Sequence, residues 1–183
     1  MSYYVVSVQP RREEHFMRSA ESMTRQQRLD PGPRLYWPRR KLTIQRRGRK
    51  LDMLAPLFPG YIFITADTVS EETFRLLRGL PGFYRFLESN DRIRALTGRD
   101  AEIVAHFVKF GDVIGKSVVT FDQDQRIRVL RGPLEGLEGS IVKIDKRKQR
   151  AKVQLDLYDE SFLVDFGFDL LGHGIDRPGT DST

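Results

Sequence analysis

Between Arg34 and Lys50 the chain carries Arg34, Arg39, Arg40, Lys41, Arg46, Arg47, Arg49 and Lys50, and no acidic residue. Guanidinium groups grip phosphate through paired hydrogen bonds, and the faces of nearby Tyr36 and Trp37 could stack on exposed bases. Spaced along a ribbon, these residue types suit the backbone of a nucleic acid. The competing reading is a solvated hairpin with no ligand, with Trp37 packed beneath it. Pro10-Arg11-Arg12 adds a second basic loop, so Arg11, Arg12, Arg39, Arg40, Lys41, Arg46 and Arg47 are the candidate phosphate contacts.

The second concentration of chemistry is apolar. Residues 56–64 read Pro-Leu-Phe-Pro-Gly-Tyr-Ile-Phe-Ile. Pro59 pre-sets φ and Gly60 accepts a positive φ, so the pair predicts a tight turn. The strand that follows has aromatic residues on one face and isoleucines on the other. A strand apolar on both faces is sandwiched in a core, or covers a core on one side and a partner on the other.

Patterns that would carry catalysis are incomplete. Asp165-Phe166-Gly167 spells a kinase magnesium motif, but the chain is too short for a kinase and lacks its other motifs. His15, His106 and His173 are far apart, without the helical pairing a metal site uses. Asp156, Asp159, Glu160 and Asp165 read as solvated charges. Gly132, Gly136 and Gly139 are followed by no Lys-Ser/Thr and read as β-turns rather than a phosphate loop. No catalytic residue, metal or cofactor is expected.

The chain has 183 residues, room for one medium domain or two small ones. It has no cysteine, which excludes disulfides, thiol catalysis and cysteine-bound zinc. No apolar run approaches the ~20 residues of a membrane span. With no signal peptide in view, a cytoplasmic protein without membrane contacts is expected. Residues 1–110 hold 20 Lys and Arg against 12 Asp and Glu, a net of +8; residues 111–183 hold 11 against 13, a net of −2. The basic half is the one expected to meet a polyanion.

These groups need elements to position them. Tyr3–Val8 reads as a buried strand. Phe16, Ala20 and Met23 predict a helix over 13–28, stopped by Asp30-Pro31-Gly32-Pro33. The basic hairpin turns at Arg47-Gly48, and strand 60–64 follows. A second helix is expected over 70–77, a short strand over 83–87, and a third helix, capped by Thr97 or Asp100, to Phe110. This is an α+β domain, an antiparallel sheet with flanking helices. Residues 111–117 lose amphipathic period and read as a linker. Short alternating strands then imply a small all-β barrel. The expected domains are 1–110, a linker 111–118, a barrel 119–172 and a flexible tail 173–183.

Taken together, the residues resemble the NusG family of transcription elongation factors. Tyr3-Tyr4-Val5-Val6, Leu57-Phe58-Pro59-Gly60-Tyr61-Ile62-Phe63 and Arg78-Gly79-Leu80-Pro81-Gly82-Phe83 are similar to the family's NGN domain, and residues 126–142 to its KOW domain. The resemblance covers nearly the whole chain. It implies that an apolar depression beside the Phe-Pro-Gly-Tyr corner binds the clamp helices of the largest RNA polymerase subunit, with Tyr4, Phe58, Pro59, Tyr61, Phe63 and Phe83 at the contact. It implies that the basic side faces the transcription bubble, near non-template DNA or nascent RNA, and that Arg78 matches a position specialised members use for DNA. Ribosomal protein S10 is an implied partner of the KOW domain. A monomer is expected.

One stretch departs from the pattern. Where the general factor has a Phe-Gly-Arg turn for ribosomal protein S10 and Rho, this chain has Tyr158-Asp159-Glu160, which reverses the charge. With the unusually basic N-terminal half, this points to a specialised paralog that suppresses pausing or termination at selected operons. A general NusG-type factor is the alternative within the family. A KOW-containing ribosomal RNA-binding protein and an enzyme acting on nucleic acid are the alternatives outside it.

Overall fold

A computed structural model describes residues 1–27, 34–87 and 93–171. The stop at 30–33 and the tail expected at 173–183 lie outside these residues. Along the chain run β1 (Ser2–Val8), α1 (Glu13–Gln26), β2 (Arg34–Tyr36), β3 (Arg39–Arg46), β4 (Arg49–Pro56), β5 (Tyr61–Ala66), α2 (Glu71–Arg78), β6 (Phe83–Phe86) and α3 (Gly98–Val108). Then follow β7 (Val113–Ile114), β8 (Ser117–Phe121), β9 (Ile127–Arg131), β10 (Ile141–Asp145), β11 (Arg150–Leu157) and β12 (Glu160–Leu170). The expected class, a mixed α+β N-terminal domain followed by a small β structure of KOW type, is the one observed.

Compactness divides the chain into two units that interleave in sequence. The first comprises Met1–Arg40, Leu54–Ile114 and Asp156–Phe162; the second Lys41–Met53, Gly115–Leu155 and Leu163–Thr183.

The first unit is built on a sheet ordered β2-β5-β1-β6. Strand β1 lies antiparallel to β5, with Val5 opposite Phe63 and Val6 opposite Ile62. Because side chains alternate across a strand, the two faces have separate cores. Tyr4, Val6, Val8, Ile62 and Ile64 pack with Phe16 and Ala20 of α1, Leu76 and Leu77 of α2, and Phe86. On the opposite face, Phe63 meets Phe58, which in turn meets Phe107 of α3. The helices begin where local chemistry permits. The Ser70 hydroxyl accepts the Thr73 N–H to cap α2, and Glu71 and Glu72 fill its first turn, where the dipole favours acids.

The segment expected to be a linker is ordered within the sheets. β7 pairs in parallel with the start of β3, through Arg39–Val113 and Arg40–Ile114, and Ile114 is fully buried. Its two apolar residues are too few to show a period, but enough to fill one hole in a core.

The second unit carries a half-barrel sheet ordered β10-β11-β12-β8-β9. Antiparallel neighbours alternate in and out: Ala151, Val153 and Leu155 of β11 are buried while Gln154 is exposed. β12 runs parallel to β8, from Phe168 opposite Ser117 to Leu170 opposite Val119.

Candidate functional site

The Phe-Pro-Gly-Tyr corner is held from below by a residue 47 positions away. Glu13, at the start of α1, is buried, and its carboxyl oxygen accepts the Gly60 N–H at 2.8 Å. The Gly60 carbonyl accepts the Val8 N–H, also at 2.8 Å. Gly60 has φ +81°, and a Cβ there would lie 3.4 Å from the Val8 carbonyl oxygen, so both backbone conformation and space favour glycine. The tight turn expected at Pro59-Gly60 is thus fixed from three sides.

Most of the aromatic surface expected at this corner is interior. Phe58 is 1 % exposed, Phe63 0 % and Tyr4 7 %. Tyr4 sits on the α1/α2 side of the sheet, away from Phe63, and its hydroxyl donates to the Asp67 carbonyl at 3.0 Å. Pro59 is exposed, and Tyr61 and Phe83 are half-buried. The second face of β5 therefore completes a core, because α3 supplies Phe107 to it.

The remaining cover comes from the tip of the β11–β12 hairpin. Phe162 stands edge-on to Phe58, with ring centroids 5.3 Å apart at 88°, and edge-on to Tyr61, at 5.9 Å and 84°. The Tyr61 hydroxyl donates to the Glu160 carboxylate. Burial first, then this bond and its charge, push the phenol up to about 12, against a smaller opposing pull from Arg85. The turn itself is Tyr158-Asp159, with φ +54° and +62°, the left-handed pair a two-residue hairpin requires. The Tyr158 N–H donates to the Asp100 carboxylate at 3.2 Å. Partial burial, and then the Asp159 carboxylate, hold Asp100 above the usual carboxylate range. Tyr158, Asp159 and Glu160, expected to face an outside partner, thus engage α3 and the aromatic corner of their own chain.

The candidate phosphate contacts are dispersed. Arg11 and Arg12 are exposed in the loop before α1, and Arg11 adopts φ +68°. Arg39 stacks over Trp37 at 4.7 Å, and Arg40 donates to the Pro56 carbonyl; both are half-buried. Lys41 pairs with Asp52 at 2.9 Å. That lysine and the nearby Thr43 hydroxyl hold the exposed Asp52 carboxyl below its ordinary range. Arg47 is exposed at the β3–β4 turn, with φ +50°. The Arg46 side chain lies outside the described residues. Arg78, at the end of α2, lies over Phe74 at 5.9 Å. Among the described residues, no group of three or more His, Cys, Asp or Glu side chains could hold a metal, and no helix is long and apolar enough to cross a membrane.

Residues 1–105 match a family model described as the transcription termination factor nusG. The chain belongs to the NusG family. It is a NusG-type factor of transcription termination and antitermination. Among curated relatives it is similar to the transcription termination/antitermination protein NusG of Thermus thermophilus, 27 % identical over 66 % of this chain and 69 % of that protein. It is similar also to that of Rickettsia prowazekii, at 24 % over 67 % of this chain and 64 % of the relative. The Neisseria meningitidis NusG is 23 % identical over 91 % of this chain and 94 % of the relative. The fold is shared with a solved structure described as domain interaction in Thermotoga maritima NusG, with a TM-score of 0.61 at 20 % identity, covering 91 % of this chain and 93 % of that one.

Sequence reasoning about this NusG-family chain missed two contributors to the corner. Glu13 was legible only as a first-turn acid; an acid followed by Phe16 and Ala20 at core spacing sits on the helix's buried stripe, a signal that it needs a buried donor. Phe162 was legible as a strand residue, and the large aromatic two positions beyond a charged turn was the available hint.

Proposed function

We propose that this protein rides RNA polymerase as an elongation and antitermination factor. The NGN domain, residues 1–110, binds the clamp helices of the largest subunit through the aromatic corner, and the KOW domain, residues 119–172, determines what is recruited. The observation that carries this reading is the corner itself: Leu57–Gly60 turns into β5, which begins at Tyr61, in a chain of the NusG family, with Tyr61 and Pro59 at its accessible rim. Aromatic anchors provide large buried area and few rotamers to immobilise, which suits an interface centre.

Phe162 lies against the same rim, so the hairpin tip 156–162 must lift before a clamp helix can reach Phe58. Polymerase and hairpin compete for one aromatic surface, and the free protein is held back by the strength of that contact. The exposed Arg11, Arg12, Arg47 and Arg78 contact nucleic acid beside the bubble. Asp159 and Glu160, with reversed charge relative to the general factor, disfavour Rho, so the protein suppresses pausing or termination at selected operons.

Capture of RNA polymerase from cell extract, with sequencing of the associated transcripts, tests the assignment. A Tyr61→Ala variant that stays folded is expected to lose roughly 1–3 kcal/mol of polymerase affinity. Unchanged affinity would refute the clamp site. In transcription on a paused template with added Rho, read-through is expected to rise; a rise in Rho-dependent termination would refute antitermination.

A further inference from the structure

The second unit holds a basic cavity that the charge count gave no reason to expect. It has a volume of about 1050 Å³ and is lined by Thr43, Ile44, Lys116, Arg147, Lys148, Gln149, Arg150, Gly167 and Asp169. Four cationic side chains face it against the Asp169 carboxylate, three from the turn that begins β11 and Lys116 from the residue before β8. Lys148 also lies 3.9 Å from the Asp145 carboxylate. Net charge of the C-terminal half is slightly acidic, but a ligand responds to the local field, not to the sum.

Several contacts make this cavity a preformed wall rather than a loose charge run. Arg150 Nη2 donates to the Thr43 carbonyl at 2.7 Å, fastening the start of β11 to β3. The turn between β10 and β11 is pinned twice. The Asp145 carboxylate accepts the Lys148 N–H at 2.8 Å, and the Gln149 carbonyl accepts the Phe168 N–H at 3.0 Å. Lys116 lies across Gly167, where a Cβ would meet its Cγ at 3.0 Å, so the absence of a side chain there gives the lysine its path. Its Nζ is 3.4 Å from Asp169, a long pair that leaves donor capacity for an incoming anion.

We infer that this cavity, formed by Lys116, Arg147, Lys148 and Arg150, binds the sugar–phosphate backbone of a single-stranded nucleic acid. The volume matches the upper range of ligand sites, roughly 300–1,000 Å³. A lone phosphate would leave most of it empty, whereas successive phosphates would each find a cation. Thr43 and Gln149 add neutral hydrogen-bonding groups suited to sugar and base edges. A cavity of this volume holds a few nucleotides of one strand, whereas a double helix, with its bases paired inside, could meet only the rim. This site needs no polymerase, and it is separate from the exposed arginines assigned above.

The test is fluorescence anisotropy of the full chain with short, mixed-sequence single-stranded DNA and RNA over a range of salt. In the Lys116→Gln/Arg147→Gln/Lys148→Gln variant, affinity at low salt is expected to fall at least about tenfold. The slope of log K against log salt should become shallower by about 2, since each phosphate contact to a single strand contributes about 0.7. Circular dichroism checks the fold. If the triple variant unfolds, Arg147→Gln alone, on the exposed turn, is expected to reduce the slope by about 0.7. Unchanged affinity and slope in the folded variants would overturn the proposal, as would equal or tighter binding of the same sequence as a duplex. Anionic phospholipid vesicles that lose affinity for the variant while oligonucleotides do not would overturn it in favour of a membrane surface. Loss in Arg47→Gln with none in the cavity variants would also overturn it, while leaving the polymerase reading intact.

Discussion

The ring of Phe162 meets that of Phe58 edge-on, 5.3 Å away and at 88°, and covers the aromatic corner before β5. Phe58 comes from the turn before β5 and Phe162 from the start of β12, so two distant turns share one small apolar surface. An edge-to-face pair contributes about 0.5–1.5 kcal/mol beyond its buried area. That magnitude suits a contact that holds in the free protein and yields to a larger interface.

Phe162→Ala should therefore free the corner. Removing both ring contacts is expected to raise polymerase affinity roughly tenfold if the hairpin competes with the clamp. Titration of the variant against purified polymerase checks this; equal or weaker binding in a folded variant would separate the hairpin from the polymerase site.

Tyr61 reports the same contact by its ionisation. Its phenol is raised from 10.0 to about 12, so the stabilisation is fully present below pH 10 and is lost as pH rises through 12. Replacing Glu160 by Gln removes the neighbouring charge, and the Tyr61 transition is expected to move to lower pH. Ultraviolet difference titration of the two proteins measures the change.

At the other end of the pH scale, Asp100 is raised, first by its partial burial and then by the Asp159 carboxylate. A carboxyl raised in the folded state stabilises it below the ordinary carboxylate value, and that contribution is lost as pH rises through the raised value. The tip should be held tightest in acid. Asp159→Asn should lessen this dependence without abolishing it, since burial remains, and hydrogen exchange at the Tyr158 N–H would follow the change.

Glu13→Ala removes the acceptor for the buried Gly60 N–H and is expected to cost about 1–3 kcal/mol of stability. Glu13→Gln keeps an acceptor oxygen and should cost less than half as much. Denaturant unfolding of the two variants distinguishes a structural acid under the corner from one that merely favours the helix dipole.

The sequence by itself determined the local elements: the Pro59-Gly60 turn, the helix that begins near residue 70, the basic hairpin with its turn at Arg47-Gly48, and the alternating strands after residue 117. Each follows from dihedral preference or from a side-chain period, which are properties of neighbours along the chain. It also determined that β5 is apolar on both faces, and the motifs that bring the chain into its family. It did not determine what covers those faces. Only the tertiary structure decided that Phe107 and Phe162 cover the second face, that Glu13 reaches Gly60, and that β7 completes a sheet through two residues. Likewise, Lys116 and the turn 147–150 are separated along the chain by stretches containing acids, and net charge averages over them. Folding collects the cations around one cavity and uses the nearest of those acids, Asp145, to pin the turn that carries three of them. Periodicity states that a face must be buried; the partner that buries it is selected by packing between segments distant in sequence, where close fit and loop closure, rather than local preference, set the free energy.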